Sequence, residues 1–267
     1  MRTIVVVAGA VFRESVRDRV PYSMVMFAIL LISASYLISQ LTAGQEMKIV
    51  KDLGLSALSI FGLLIAVYLG IGLVSKEVER RSIFALLSKP VSRTQFILGK
   101  YLGLVATLFI NLGVMTLAFY AVLAYMDVTA GPEKLAWPAP ALDSRLLIAI
   151  GLIVAEVALV TAMALFFSTF SSPMLSALLT LALWVAGHFS ADLRNFGTVV
   201  DSAPIVAVAR AVYYVLPNLE AFNVKAEVVH GLSVGMRHVA WTLAYAALYA
   251  GLLLTAAMAI FRRRDFE

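Results

Sequence analysis

Five stretches of this sequence contain almost no Asp, Glu, Lys or Arg: residues 20–45, 53–75, 101–126, 146–191 and 238–261, with Glu156 alone interrupting the fourth. An uncharged apolar run of about 20 residues is what a helix needs to cross the roughly 30 Å hydrocarbon core of a bilayer. Within lipid every backbone polar group must be satisfied by the chain itself, which leaves helices as the natural solution for such runs. Four of the runs have the length of one span and the fourth has the length of two. It divides at Ser168-Thr169-Phe170-Ser171-Ser172-Pro173, where Pro173 suits the first position of a new helix and Ser172 suits its cap. The pattern predicts an all-α membrane protein with six transmembrane helices in a single domain over residues 1–267. Composition agrees: 62% of the residues are hydrophobic and 14% charged, against about 45–50% and 25% in soluble domains.

The first apolar run follows an arginine-rich stretch and contains Ser33-Ala34-Ser35, a loose match to a signal-peptide cleavage site. The uncharged run continues to Gly44, longer than the apolar region of a typical signal peptide, so a retained anchor is expected.

Charge orients the bundle. With the N-terminus inside, the inner segments hold Arg2, Arg13, Arg17, Arg19, Lys76, Arg80, Arg81, Lys89, Arg93, Lys100, Arg262, Arg263 and Arg264, while the longer outer segments carry most of the acids, from Glu46 and Asp52 to Glu220 and Glu227. Basic residues stay on the cytoplasmic side, which places both termini there and the chain in a plasma (inner) membrane. The net charge of +5 therefore belongs to the inner membrane face. A basic patch interleaved with aromatics is not visible, and no nucleic-acid partner is expected.

Several chemistries are excluded. The chain has no cysteine, hence no disulfide, thiol catalysis or Cys metal site. His188, His230 and His238 lack the spacing of zinc ligands, so no metal is expected. Gly99-Lys100 runs into Tyr101 and a helix, not out of a strand as in a phosphate-binding loop. No Ser, His and Asp lie at a common depth in a recognisable order, so no catalytic residue is assigned.

The segment between spans two and three carries the most information. Pro90 disfavours helix at Lys89, which implies two short helices at an angle. The second has a well-formed start: Ser92 as cap, Gln95 as its capping-box partner, and Val91 with Phe96 as a hydrophobic staple. That helix should run directly into span three. The first, over Glu77 to Leu87, segregates charge and apolar groups along its length more than around it. By itself it reads equally well as a solvated basic loop.

Glu77, Glu79 to Ser82, Leu86-Leu87-Ser88-Lys89-Pro90-Val91-Ser92-Arg93 and Leu98-Gly99-Lys100 together resemble the cytoplasmic loop of ABC-2 type transporter permeases. The six-span layout, the stem Phe12 to Arg19 and the terminal Phe261-Arg262-Arg263-Arg264 are similar to the same family. The resemblance implies the transmembrane subunit of an ATP-binding cassette transporter, with two permease and two ATPase subunits, the permeases forming a homodimer. ATP and magnesium would be bound by the ATPase and hydrolysed there, no cofactor being held by this chain. Glu77, Glu79, Arg80, Arg81, Phe84 and Leu87 would form the coupling interface, with Pro90, Ser92, Arg93 and Gln95 its corner in the cytoplasmic loop 76–98. Residues 1–19 would match the connecting helix at the membrane surface, where a basic amphipathic segment is at home.

The sequence departs from that family in its long segment 188–238. Ser202-Ala203-Pro204 resembles a helix start, Ile205 to Leu216 is apolar apart from Arg210, and Leu219 to Val234 mixes apolar and charged residues. Two amphipathic helices at the outer face are expected, as an external gate, a docking surface for an extracytoplasmic partner, or a lid over the helix ends. Gly99 and Gly103 have the spacing of close helix packing, without indicating which helix they meet.

Glu156 is the ionisable residue deepest in a span, where a charge is costly and faces protein, water or a partner. One reading makes it a proton or cation site; the other pairs a carboxyl with Asn111 or with a Ser or Thr hydroxyl, so Glu156 and Asn111 are the intramembrane polar candidates. Three rival functions stay open at this point. An intramembrane enzyme would use Glu156 with the outer histidines; a secondary transporter or channel would show internal repeats and several buried ionisable groups; and a transporter-like complex might do mechanical work outside the membrane through residues 188–238.

Overall fold

A computed structural model describes residues 2–41, 44–79, 92–131, 137, 139–190 and 216–263 of the chain. Its described residues form helices and no strand. In chain order these are α1 (Arg2–Arg17), α2 (Arg19–Ser39), α3 (Glu46–Glu79), α4 (Arg93–Thr129), α5 (Arg145–Ser168), α6 (Pro173–His188), a 3-10 turn (Glu220–Phe222), α7 (Lys225–Val229) and α8 (Met236–Arg263).

Five helical stretches are long and apolar enough to cross a membrane: Arg19–Ser39, Glu46–Gly72, Arg93–Thr129, Arg145–Ser168 and Met236–Arg262. The sixth candidate, α6, has 16 residues, or about 24 Å at 1.5 Å per residue, short of a full hydrocarbon core. Its hairpin with α5 falls where the sequence pattern puts it, with Pro173 opening α6. Ser172 occupies the cap position but its side chain makes no capping bond. The neighbouring Ser171 hydroxyl instead bonds the carbonyl of Phe167 at 2.9 Å and the Ser176 hydroxyl at 2.6 Å.

Helices α3 and α5 form the centre. Of the most apolar window in each, 72% and 67% is buried, against 28% in α2 and α8, which show the remainder of their surface to lipid. Close approach depends on a stripe of glycines on α3. A Cβ added at Gly54 would lie 2.2 Å from the Phe119 ring of α4; at Gly62 it would lie 3.1 Å from both Leu112 of α4 and Val157 of α5; at Gly70 it would lie 2.6 Å from Ala164 Cβ of α5. Eight residues advance a helix by two turns and about 80°, so the stripe winds from the α4 face to the α5 face as α3 crosses the bundle. Small residues let backbones meet where lipid supplies no hydrophobic drive between helices.

Helix α1 packs along the start of α4. Gly99 and Gly103 provide the room, since a Cβ at Gly103 would stand 2.6 Å from the Ala8 carbonyl oxygen and one at Gly99 2.7 Å from Val7 Cβ. The Gly-x-x-x-Gly pair is thus an intrachain crossing. Val11 and Ser15 are buried there, while Val5, Val6, Arg13, Glu14 and Arg17 face outward. At the α1–α2 elbow, Asp18 caps α2 by accepting from the Val20 amide at 3.1 Å, and its second oxygen accepts from the Tyr68 hydroxyl of α3 at 3.0 Å.

Of the two amphipathic helices expected after α6, the second falls among the described residues and is shorter than the 219–234 segment. Ile205 to Val215 lie outside the described residues. From Leu216 onward the chain forms only the 3-10 turn and the single-turn helix α7, with Leu219, Phe222, Val224, Val228 and Val229 buried against the bundle. It packs on α3 and α5. The Leu219 amide donates to the Gly187 carbonyl at 3.1 Å, an approach that needs glycine because a Cβ at Gly187 would sit 2.8 Å from both Leu219 Cγ and the Pro217 oxygen. The Asn218 amide donates to the Tyr245 hydroxyl of α8 at 2.9 Å, and the His238 ring bonds the Ala221 carbonyl at 2.9 Å.

Candidate functional site

The expected corner is present where it is described. Ser92 caps α4: its hydroxyl accepts from the Gln95 amide at 3.3 Å, and the Gln95 side chain accepts from the Ser92 amide at 3.4 Å. Helix α4 then continues without a break into its span. Glu77 and Glu79 belong to the last turn of α3, which runs uninterrupted through Glu79; a separate helix beginning at Glu77 is not formed. Arg80, Arg81, Phe84, Leu87 and Pro90, with Val91 of the staple, lie outside the described residues.

Arg93 makes a contact that no sequence signal announces. Its Nη1 donates to the Phe261 carbonyl at 3.0 Å and to the Arg262 carbonyl at 3.1 Å. The last carbonyls of a helix lack intrahelical donors, and a guanidinium supplies several in a rigid fork, so the first turn of α4 closes the last turn of α8. Phe96 of α4 stacks on Phe261 with centroids 6.2 Å apart, and the buried Lys100 ammonium stands 4.6 Å from the Phe96 ring centre. With α1 seated on Gly99 and Gly103, two helices, α8 and α1, converge on the first three turns of α4.

At the opposite end two polar groupings are buried. Lys51, 1% exposed, donates from Nζ to the Pro140 carbonyl at 2.7 Å. Asp143 lies beside it: one carboxylate oxygen accepts from the Arg145 amide at 2.9 Å, and the other is buried without a hydrogen bond. The Arg145 guanidinium bonds the Gly231 carbonyl, and the Tyr120 hydroxyl donates to the Asp143 carbonyl at 3.3 Å. The second uncharged run begins at residue 53, which leaves Lys51 outside it. A signal for it exists: Met47, Val50, Leu55 and Leu58 are buried at helical spacing on the same face, and a lysine inside such a stripe needs an internal partner.

The second grouping surrounds Glu156. Its Oε1 accepts from the Trp184 indole N–H at 2.8 Å and lies 3.5 Å from His188 Nε2. Trp184 and His188 are one turn apart on α6 and so share a face. Asn111 is not among the recorded partners of Glu156. Lys225 of α7 and Glu220 of the 3-10 turn act electrostatically on the same carboxyl, and Asp52 of α3 acts on Lys225. Burial holds the Lys225 ammonium below the ordinary lysine range, with the three carboxyls opposing that effect. The three histidines do not converge, and among the described residues no group of three or more His, Asp or Glu is placed to hold a metal ion.

An all-helical bundle with several apolar spans, in which a basic corner ties the start of α4 to the end of α8, defines a multi-pass membrane protein. Residues 5–265 match the family described as ABC-2 family transporter protein, and the chain belongs to that family. No curated protein matches its sequence. Membership makes the chain the permease, the membrane component of an ABC transporter, working with an ABC ATPase.

Proposed function

We propose that the chain couples ATP hydrolysis in a separate ATPase subunit to export or to mechanical work across the membrane, with the Arg93 corner as the point where motion enters the bundle. The observation that carries this reading is the pair of hydrogen bonds from Arg93 to the end of α8 beside the capped start of α4. A push on the chain leading into Ser92 reaches α4, α8 and α1 together, because all three are fastened within the first turns of α4. The distribution of arginines supports a cytoplasmic position for this end, where an ATPase would reach it. Two ATPase subunits and two copies of this chain make the proposed assembly, with Glu77, Glu79, Arg80, Arg81, Phe84 and Leu87 as the docking surface. A conformational change needs contacts that differ between its two states, and the nucleotide-dependent ATPase interface supplies them.

The test compares two variants in the complex purified with its ATPase. Phe84→Asp should abolish co-purification of the ATPase. Arg93→Ala should retain co-purification and basal hydrolysis but lose most of the difference in α4–α8 separation between ATP-bound and nucleotide-free states, measured by paired spin labels. Unchanged separations in Arg93→Ala would remove the corner from the mechanism; retained binding in Phe84→Asp would move the dock elsewhere.

A further inference from the structure

The Glu156 grouping has no role in the coupling just described, and its geometry restricts where protons can sit. His188 Nδ1 lies 3.1 Å from the Trp184 carbonyl oxygen. A carbonyl only accepts, so Nδ1 carries a hydrogen and Nε2 is the variable position. Nε2 faces Glu156 Oε1 at 3.5 Å. If neither atom bore a proton, a ring lone pair would confront a carboxylate in a buried site. If both did, an imidazolium N–H would confront an O–H with no acceptor between them. A single proton satisfies the pair, either as imidazolium and carboxylate or as neutral imidazole and carboxylic acid.

We infer that Glu156 and His188 form a proton-binding site, entered through His188 and holding one proton between Nε2 and Oε1. The two members differ in access: the His188 side chain is 22% exposed and that of Glu156 5%. Passage inward breaks the Nε2–H bond and forms the Oε1–H bond, converting imidazolium and carboxylate to neutral imidazole and neutral acid, with no net gain or loss of protons in the pair. The Trp184 N–H donates to the same Oε1 and so holds the carboxyl group toward α6. The charged groups that act on the carboxyl come from three elements: His188 on α6, Lys225 on α7 and Glu220 on the 3-10 turn, with Asp52 of α3 acting on Lys225. The proton therefore sits where the 3-10 turn and α7 meet the bundle, and the balance of charge beneath them changes when the proton is gained or lost. None of this depends on the ATPase coupling proposed above.

The experiment uses the full chain in lipid nanodiscs with 15N-labelled histidine and tryptophan, titrated across about pH 4 to 9, the range in which His and Glu ordinarily change charge. Because one proton is shared, the His188 ring and the Trp184 indole should follow a common midpoint. Glu156→Gln should displace the His188 curve, and the Trp184 indole, whose ring lies 4.5 Å from the His188 ring, should follow the displaced curve. Should Glu156→Gln fail to fold, His188→Gln keeps the test: the Trp184 indole then reports Glu156 alone, with its midpoint displaced from wild type. Separate midpoints for His188 and Trp184 in the wild type would overturn the inference. So would an unshifted His188 curve in Glu156→Gln, or an unshifted Trp184 curve in His188→Gln.

Discussion

The two ends of the bundle are fastened by different means. At the arginine-rich end the ties run between helix termini: a capping box at Ser92, the Arg93 guanidinium on the last carbonyls of α8, and α1 laid into the notches at Gly99 and Gly103. At the other end polar side chains reach from helices to loop backbone or to one another, with Lys51 and Glu156 buried: Lys51 to Pro140, Arg145 to Gly231, and Trp184 to Glu156. Ties between termini let helices move as a group with little internal change. Buried charges held by loops make displacement costly, since each must keep a partner or be desolvated alone. The contrast assigns motion to the first end and retention to the second.

That assignment can be broken from either side. The largest effect is expected for Lys51→Ala, which removes the donor to Pro140 and leaves the Asp143 carboxylate buried with Arg145 as its remaining cation. The loss should be about 3 kcal/mol, read as a clear fall in thermal midpoint by scanning fluorimetry in detergent. A negligible shift would show that the second end is not held by its buried charges. Next, Gly103→Leu should force α1 off α4, costing about 1–3 kcal/mol by overpacking. Limited trypsin digestion should then cleave at Arg13 and Arg17 while the spans remain folded. Continued protection of α1 would mean that the notch is not what seats it.

The smallest effect concerns Lys225, whose ammonium loses a proton more readily in the folded chain than in the unfolded one. Between the lowered folded value and the ordinary lysine value the unfolded state binds more protons, so stability from this group rises with pH through that window. Lys225→Met should flatten the alkaline part of the stability profile and raise its neutral part, where the buried ammonium is charged. A steepened alkaline profile would reverse the sign of the argument.

Much of the architecture was legible because it follows from lipid. Apolar runs that must satisfy their own backbone become helices, and the start of α4 at Ser92 and the hairpin before Pro173 are local signals, complete within a few residues. The shortness of α6 was not legible, because an uncharged run sets where a helix can extend and not where another segment displaces it. Leu219 takes that place through a bond to Gly187 across 32 positions of chain, and only the apolar content of 219–229 hints at it. Glu156 stood out as an ion in a span, yet its partners had to be found on another helix. Arg93 was assigned to the corner, but nothing near it in sequence points to Phe261.

The notch at Gly54 carries a further consequence. The Phe119 ring fills it so closely that a methyl group there would overlap the ring. Axial sliding of α4 past α3 would drive that ring over the flanking side chains, whereas a tilt about the contact would leave it in its socket. Any stroke delivered to one tip of α4 is thereby turned into a lever swing about a fixed fulcrum, with the far tip moving in the opposite sense.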